Sequence, residues 1–112
     1  EALVAAEALS SDGIECAIYS THTLKPFDAA TLLLLASQYD TLVTVEEHVP
    51  IGGLASVAAD IFLDAGLKPK RFARICLPDA FSSIVGSQEY LRKRHGLDAS
   101  AIAAQVSKLM GN

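Results

Sequence analysis

Apolar positions change their spacing several times along the chain, and each change marks a boundary. The opening stretch "EALVAAEALSSDG" is alanine-rich, with Leu3, Val4 and Leu9 on a shared side and Gly13 as a terminator, which predicts a helix. "IECAIYS", residues 14–20, is short and aliphatic and predicts a buried strand. Pro26 restricts the loop that follows, Asp28 is placed to cap the next helix, and Phe27 and Leu32 have the spacing of a hydrophobic staple. That helix runs through "AATLLLLASQY", whose four consecutive leucines imply burial over a wide arc. "TLVTVEE" predicts a second strand. "GGLASVAADIFLDAG" predicts a helix with Leu54, Val57, Ala58, Ile61, Phe62 and Ala65 on one face and Gly66 at its end. "FARICLP" predicts a third strand, stopped by Pro78. Two closing helices follow, "SQEYLRKRH" capped by Ser87 and "DASAIAAQVSKLM" capped by Asp98, with Leu97 and Ile102 repeating the staple spacing. Strands that alternate with helices imply an α/β fold, three layers deep (α/β/α), with a mainly parallel sheet covered on both faces.

Length and composition narrow this picture. A chain of 112 residues, 51% hydrophobic and 20% charged, forms one domain around one core, residues 1–112. The net charge of −4, with basic residues gathered at 92–94, argues against nucleic acid as a partner. No apolar run approaches the roughly 18 residues that span a bilayer, so no membrane partner is expected. Cys16 and Cys76 lie in strand-like apolar runs and are expected to be reduced, small buried hydrophobes of a cytoplasmic protein.

The stretch "TVEEHVPIGGLA", residues 44–55, concentrates the candidate chemistry. It sits at the carboxyl end of a strand, where parallel sheets usually place ligands. Strand alternation sets Glu46 and His48 on one side and Glu47 on the other, which is awkward for one cluster, and no other His, Cys or Asp spacing completes a metal site. Exposed amides at a helix start attract anions, and here carboxylates are already close. The plainer expectation is that Glu46 or Glu47 satisfies those amides or faces a partner chain, while Gly52 and Gly53 allow close approach of helix to sheet. His95, with Arg92, Lys93 and Arg94, complements a helix dipole. His22 lies beside a turn, and Ser82 and Ser83 lack a visible base and a nucleophile elbow. No catalytic or metal-binding residue is assigned.

The order of the motifs "THTLKPFD", "TLVTVEEHVPIGGLASVAAD", "LPDAF" and "GSQEYLRKRHGLDASAIAAQV" resembles the carboxyl-terminal domain of transketolases, over nearly the whole chain. The wording E-E-H-x-x-I-G-G-L is most similar to transketolases split into amino- and carboxyl-terminal subunits. The same domain type occurs in 1-deoxy-xylulose-5-phosphate synthases and in the beta subunits of 2-oxo acid dehydrogenases. The resemblance implies part of an enzyme that transfers two-carbon ketol units between sugar phosphates, with thiamine diphosphate and a divalent metal held by other domains and no cofactor bound here. The implied partners are those thiamine-binding domains or subunits and a second copy in a homodimer. By the same resemblance Glu46, Glu47, His48, Gly52 and Gly53 border the interface or active site. The alternatives are the same domain in a 1-deoxy-xylulose-5-phosphate synthase or a 2-oxo acid dehydrogenase beta subunit, or a non-catalytic protein-docking or anion-binding module. The family domain begins with two strands that have no counterpart here, the second lying between the strands that match "IECAIYS" and "TLVTVEE". The chain is therefore expected to be a fragment of a longer protein, inactive alone.

Overall fold

The computed structural model describes residues 1–20, 28–46, 53–76 and 87–111, apart from the side chains of Gln88, Glu89 and Leu91. They belong to two compact units, residues 21–79 and residues 1–20 with 80–112.

In the 21–79 unit, helix α2 (Ala29–Gln38) starts at Asp28. The Asp28 carboxylate accepts from the Thr31 amide at 3.0 Å and from the Thr31 hydroxyl at 2.6 Å, satisfying an amide that the helix leaves unpaired. Both bonds favour the charged form and lower the Asp28 pKa, the side-chain bond most. Phe27, the other half of the predicted staple, lies outside the described residues.

Strand β1 (Thr41–Val45), helix α3 (Leu54–Ala65) and strand β2 (Arg71–Ile75) complete this unit. β1 and β2 pair in parallel, Thr41 opposite Arg71 through Val45 opposite Ile75. The ladder extends at both ends, where the Arg71 amide donates to the Asp40 carbonyl at 2.9 Å and the Glu46 amide to the Ile75 carbonyl at 3.0 Å. Ala36, Ala58 and Phe62 form the core, with Leu32, Leu33, Leu42 and Phe72 packed on it. The Phe62 and Phe72 rings meet edge to face, centroids 5.4 Å apart and planes at 87°. The buried line of α3 is Ala55, Ala58 and Phe62. The predicted face is thus turned slightly: Ala65 is exposed, and Leu54, Val57 and Ile61 are half-buried. Gly66 ends α3 with a left-handed backbone, φ +66°, which glycine adopts without steric cost.

In the other unit, helix α1 (Ala2–Ser11) packs on helix α5 (Ala99–Leu109), and helix α4 (Gln88–Arg94) precedes α5. Ala5 and Leu9 of α1, and Leu97 and Ile102 beside and within α5, are buried, the last two as a staple requires. The Ser87 hydroxyl caps α4 by accepting from the Tyr90 amide at 3.2 Å.

Three expectations are corrected here. Residues 14–20 form no strand, and Ile18 and Tyr19 are exposed. An apolar run becomes a strand only when a neighbour supplies a ladder, and among the described residues nothing pairs with this one. Cys16 is consequently exposed rather than a buried hydrophobe, while Cys76 is half-buried, and both thiols are free. Asp98 makes no side-chain cap at the start of α5; the Glu1 carboxylate takes the Ala99 amide instead, at 2.6 Å.

Candidate functional site

β1 ends at Val45, and the next residue joins three elements. The Glu46 amide bonds to the end of β2 through the Ile75 carbonyl. Its side chain reaches the start of α3, where one carboxylate oxygen accepts from the Leu54 amide and the other from the Ala55 amide, each at 2.8 Å. These amides belong to the first turn of the helix, where the chain provides no carbonyl acceptor and the helix dipole places partial positive charge. A two-oxygen, two-amide arrangement joins charge assistance to the satisfaction of two donors at once. The alternation of β1 and the helix start after Gly53 bring these groups within reach.

Gly53 is the N-cap of α3 and is buried. Its φ of −94° and ψ of −163° are open to any residue, so glycine is not required here for its backbone freedom. Its carbonyl accepts the first helical bond, from the Val57 amide at 3.1 Å. Next to this junction, on β1, the Thr44 hydroxyl oxygen is buried and has no hydrogen-bond partner among the described residues.

Glu46 therefore meets the expectation that a carboxylate satisfies the α3 amides. Glu47, His48 and Gly52 lie outside the described residues, as do His22, Ser82 and Ser83. Arg92, Lys93 and Arg94 occupy the last turn of α4, where cations complement the helix dipole. Desolvation first, and the negative charge of Glu15 second, raise the pKa of the Cys16 thiol, which opposes formation of a reactive thiolate. Among the described residues no three His, Cys, Asp or Glu side chains gather as metal ligands, and no helix is long and apolar enough to cross a membrane. The arrangement at Glu46 can hold elements in register; its two amides fit an external phosphate only if the carboxylate leaves.

The fold has clear relatives. The chain is 42% identical over 110 residues to the 1-deoxy-D-xylulose-5-phosphate synthase of Syntrophotalea carbinolica, covering 98% of this chain and 17% of that protein. It is 36% identical over 108 residues to a putative transketolase family protein of Sinorhizobium fredii, covering 96% of this chain and 31% of the relative. Among solved structures, a split-gene transketolase in the form of an inactive beta4 tetramer superposes with a TM-score of 0.83 and 32% identity, over 96% of this chain and 34% of that one. The chain thus spans about a sixth of the length of the matched synthase. That likeness gives the fold as transketolase C-terminal-like, and the helices and small parallel sheet are consistent with a three-layer α/β/α domain. The family model described as "Transketolase, C-terminal domain" matches residues 1–102, and with it this chain belongs to the transketolase C-terminal domain family.

Proposed function

We propose that this chain is the carboxyl-terminal part of a transketolase that transfers two-carbon ketol units between sugar phosphates, and that it supports assembly instead of performing the chemistry. The observation that carries this reading is the likeness, over nearly the whole chain, to a split-gene transketolase. Thiamine diphosphate and a divalent metal supply the carbanion chemistry when bound elsewhere in the enzyme. The α3 start does not fit the diphosphate, because Glu46 already fills its first amides. In this reading Glu46, Glu47, His48, Gly52 and Gly53 border the interface with the thiamine-binding domains or subunit, the complete enzyme is a homodimer, and it works in the cytoplasm.

A second reading, the same domain in a 1-deoxyxylulose-5-phosphate synthase, is favoured by the 42% identity to such a synthase. One experiment separates the two. The chain is titrated into the thiamine-binding part from the same source, and product is followed with a ketose phosphate donor and, separately, with pyruvate and glyceraldehyde phosphate. Saturable activation with the ketose donor supports the transketolase; activation with pyruvate alone moves the assignment to the synthase. No activation with either donor removes both. His48→Ala is expected to weaken association while leaving both limbs of the pH–rate profile in the assembled enzyme. Loss of a limb would make His48 an acid or base.

A further inference from the structure

We infer that Glu46 is the positioning residue of this interface, acting inward on the fold and not outward on a partner. The inference rests on the proposed assembly role and assigns Glu46 a part distinct from its neighbours. Three bonds meet on this one residue: its amide holds the end of β2, and its two carboxylate oxygens hold the first two amides of α3. Both oxygens are engaged by amides of its own chain, so a partner that drew the carboxylate outward would loosen α3. The tie also joins the two ends of the 47–53 stretch, since it links residue 46 to residues 54 and 55. A change at Glu46 therefore reaches the interface through the spacing of those ends.

The test uses Glu46→Ala and the near-isosteric Glu46→Gln in the full protein. Amide hydrogen exchange at Leu54 and Ala55 is expected to speed up about tenfold or more in Glu46→Ala, as the loss of charge-assisted bonds requires. Glu46→Gln keeps one acceptor oxygen and should fall between Glu46→Ala and the parent; it also serves if Glu46→Ala does not fold. Unchanged exchange within α5 is the control for folding. Specific activity is then followed on dilution. The half-activity concentration should rise about tenfold with the plateau preserved, because positioning alters assembly and leaves the chemical step alone. A lower plateau at an unchanged half-activity concentration would overturn the inference, and so would unchanged exchange at Leu54 and Ala55 in both variants. If the parent shows no two-carbon transfer, the proposed function fails by itself, and the exchange measurement still decides whether Glu46 holds α3.

Discussion

The starts of α3 and α5 are both closed by a glutamate from outside the helix, and they differ in how much that glutamate does. At α3 the residue comes from the end of the adjacent strand, is part-buried, and uses both oxygens on two amides. At α5 Glu1 is exposed and contributes one oxygen to one amide, 98 residues away in sequence, while the local Asp98 side chain makes no cap bond. Both satisfy donors that a helix leaves open, but burial and the second bond separate them energetically. Water can replace Glu1 at little cost. Around the α3 start, with Gly53 and Ala55 buried, it has less room to replace Glu46.

Four substitutions test this contrast. The largest effect is expected for Glu46→Ala, a loss of about 3 kcal/mol in chemical denaturation, since two charge-assisted bonds end and two donors are left behind. A loss under 0.5 kcal/mol would place α3 with α5. Gly53→Leu should cost about 2 kcal/mol, because the buried N-cap has to accept a large side chain; unchanged melting and unchanged subunit association would show that helix and sheet can separate there. Asp28→Ala should have a smaller effect with a pH signature. The Asp28 pKa is lowered on folding, so its contribution is present above the unfolded carboxylate value and is lost as pH falls through the lower folded value. The acid side of the stability profile should flatten in the variant, and an unaltered profile would count against the cap. Glu1→Ala should be the mildest, within about 0.5 kcal/mol of the parent, as for other exposed pairs. A loss as large as that of Glu46→Ala would erase the contrast.

The same contrast explains what could be read in advance. Asp28 and Ser87 act on amides three residues away, so local spacing was enough to find them. The Glu46 tie was half legible: carboxylates beside a helix start pointed to Glu46 or Glu47, and the choice depended on which side of β1 the helix start lies. Glu1 was not legible, because no local pattern links residues 1 and 99. Residues 14–20 show the opposite failure. Their aliphatic run has strand propensity, but a strand is a relation between two backbones and the run holds only one of them. The helices, by contrast, satisfy their own backbone groups, and all five predicted helices are present. The buried face of α3 is turned by part of a turn from its apolar pattern, because Ala55, next to the cap, is buried while Ala65, at the far end, is exposed.

The edge-to-face pair of Phe62 and Phe72 has a spectroscopic consequence. Protons on the edge of one ring lie in the field of the other's π electrons, which moves their magnetic resonance away from the usual aromatic region. The pair joins a residue of α3 to one of β2, so those shifted signals report the seating of the helix on the sheet. The chain has no tryptophan and only four phenylalanines, which leaves them little overlapped. A loosened α3 would let the signals drift back toward the usual positions, giving a residue-level view of the helix that needs no label.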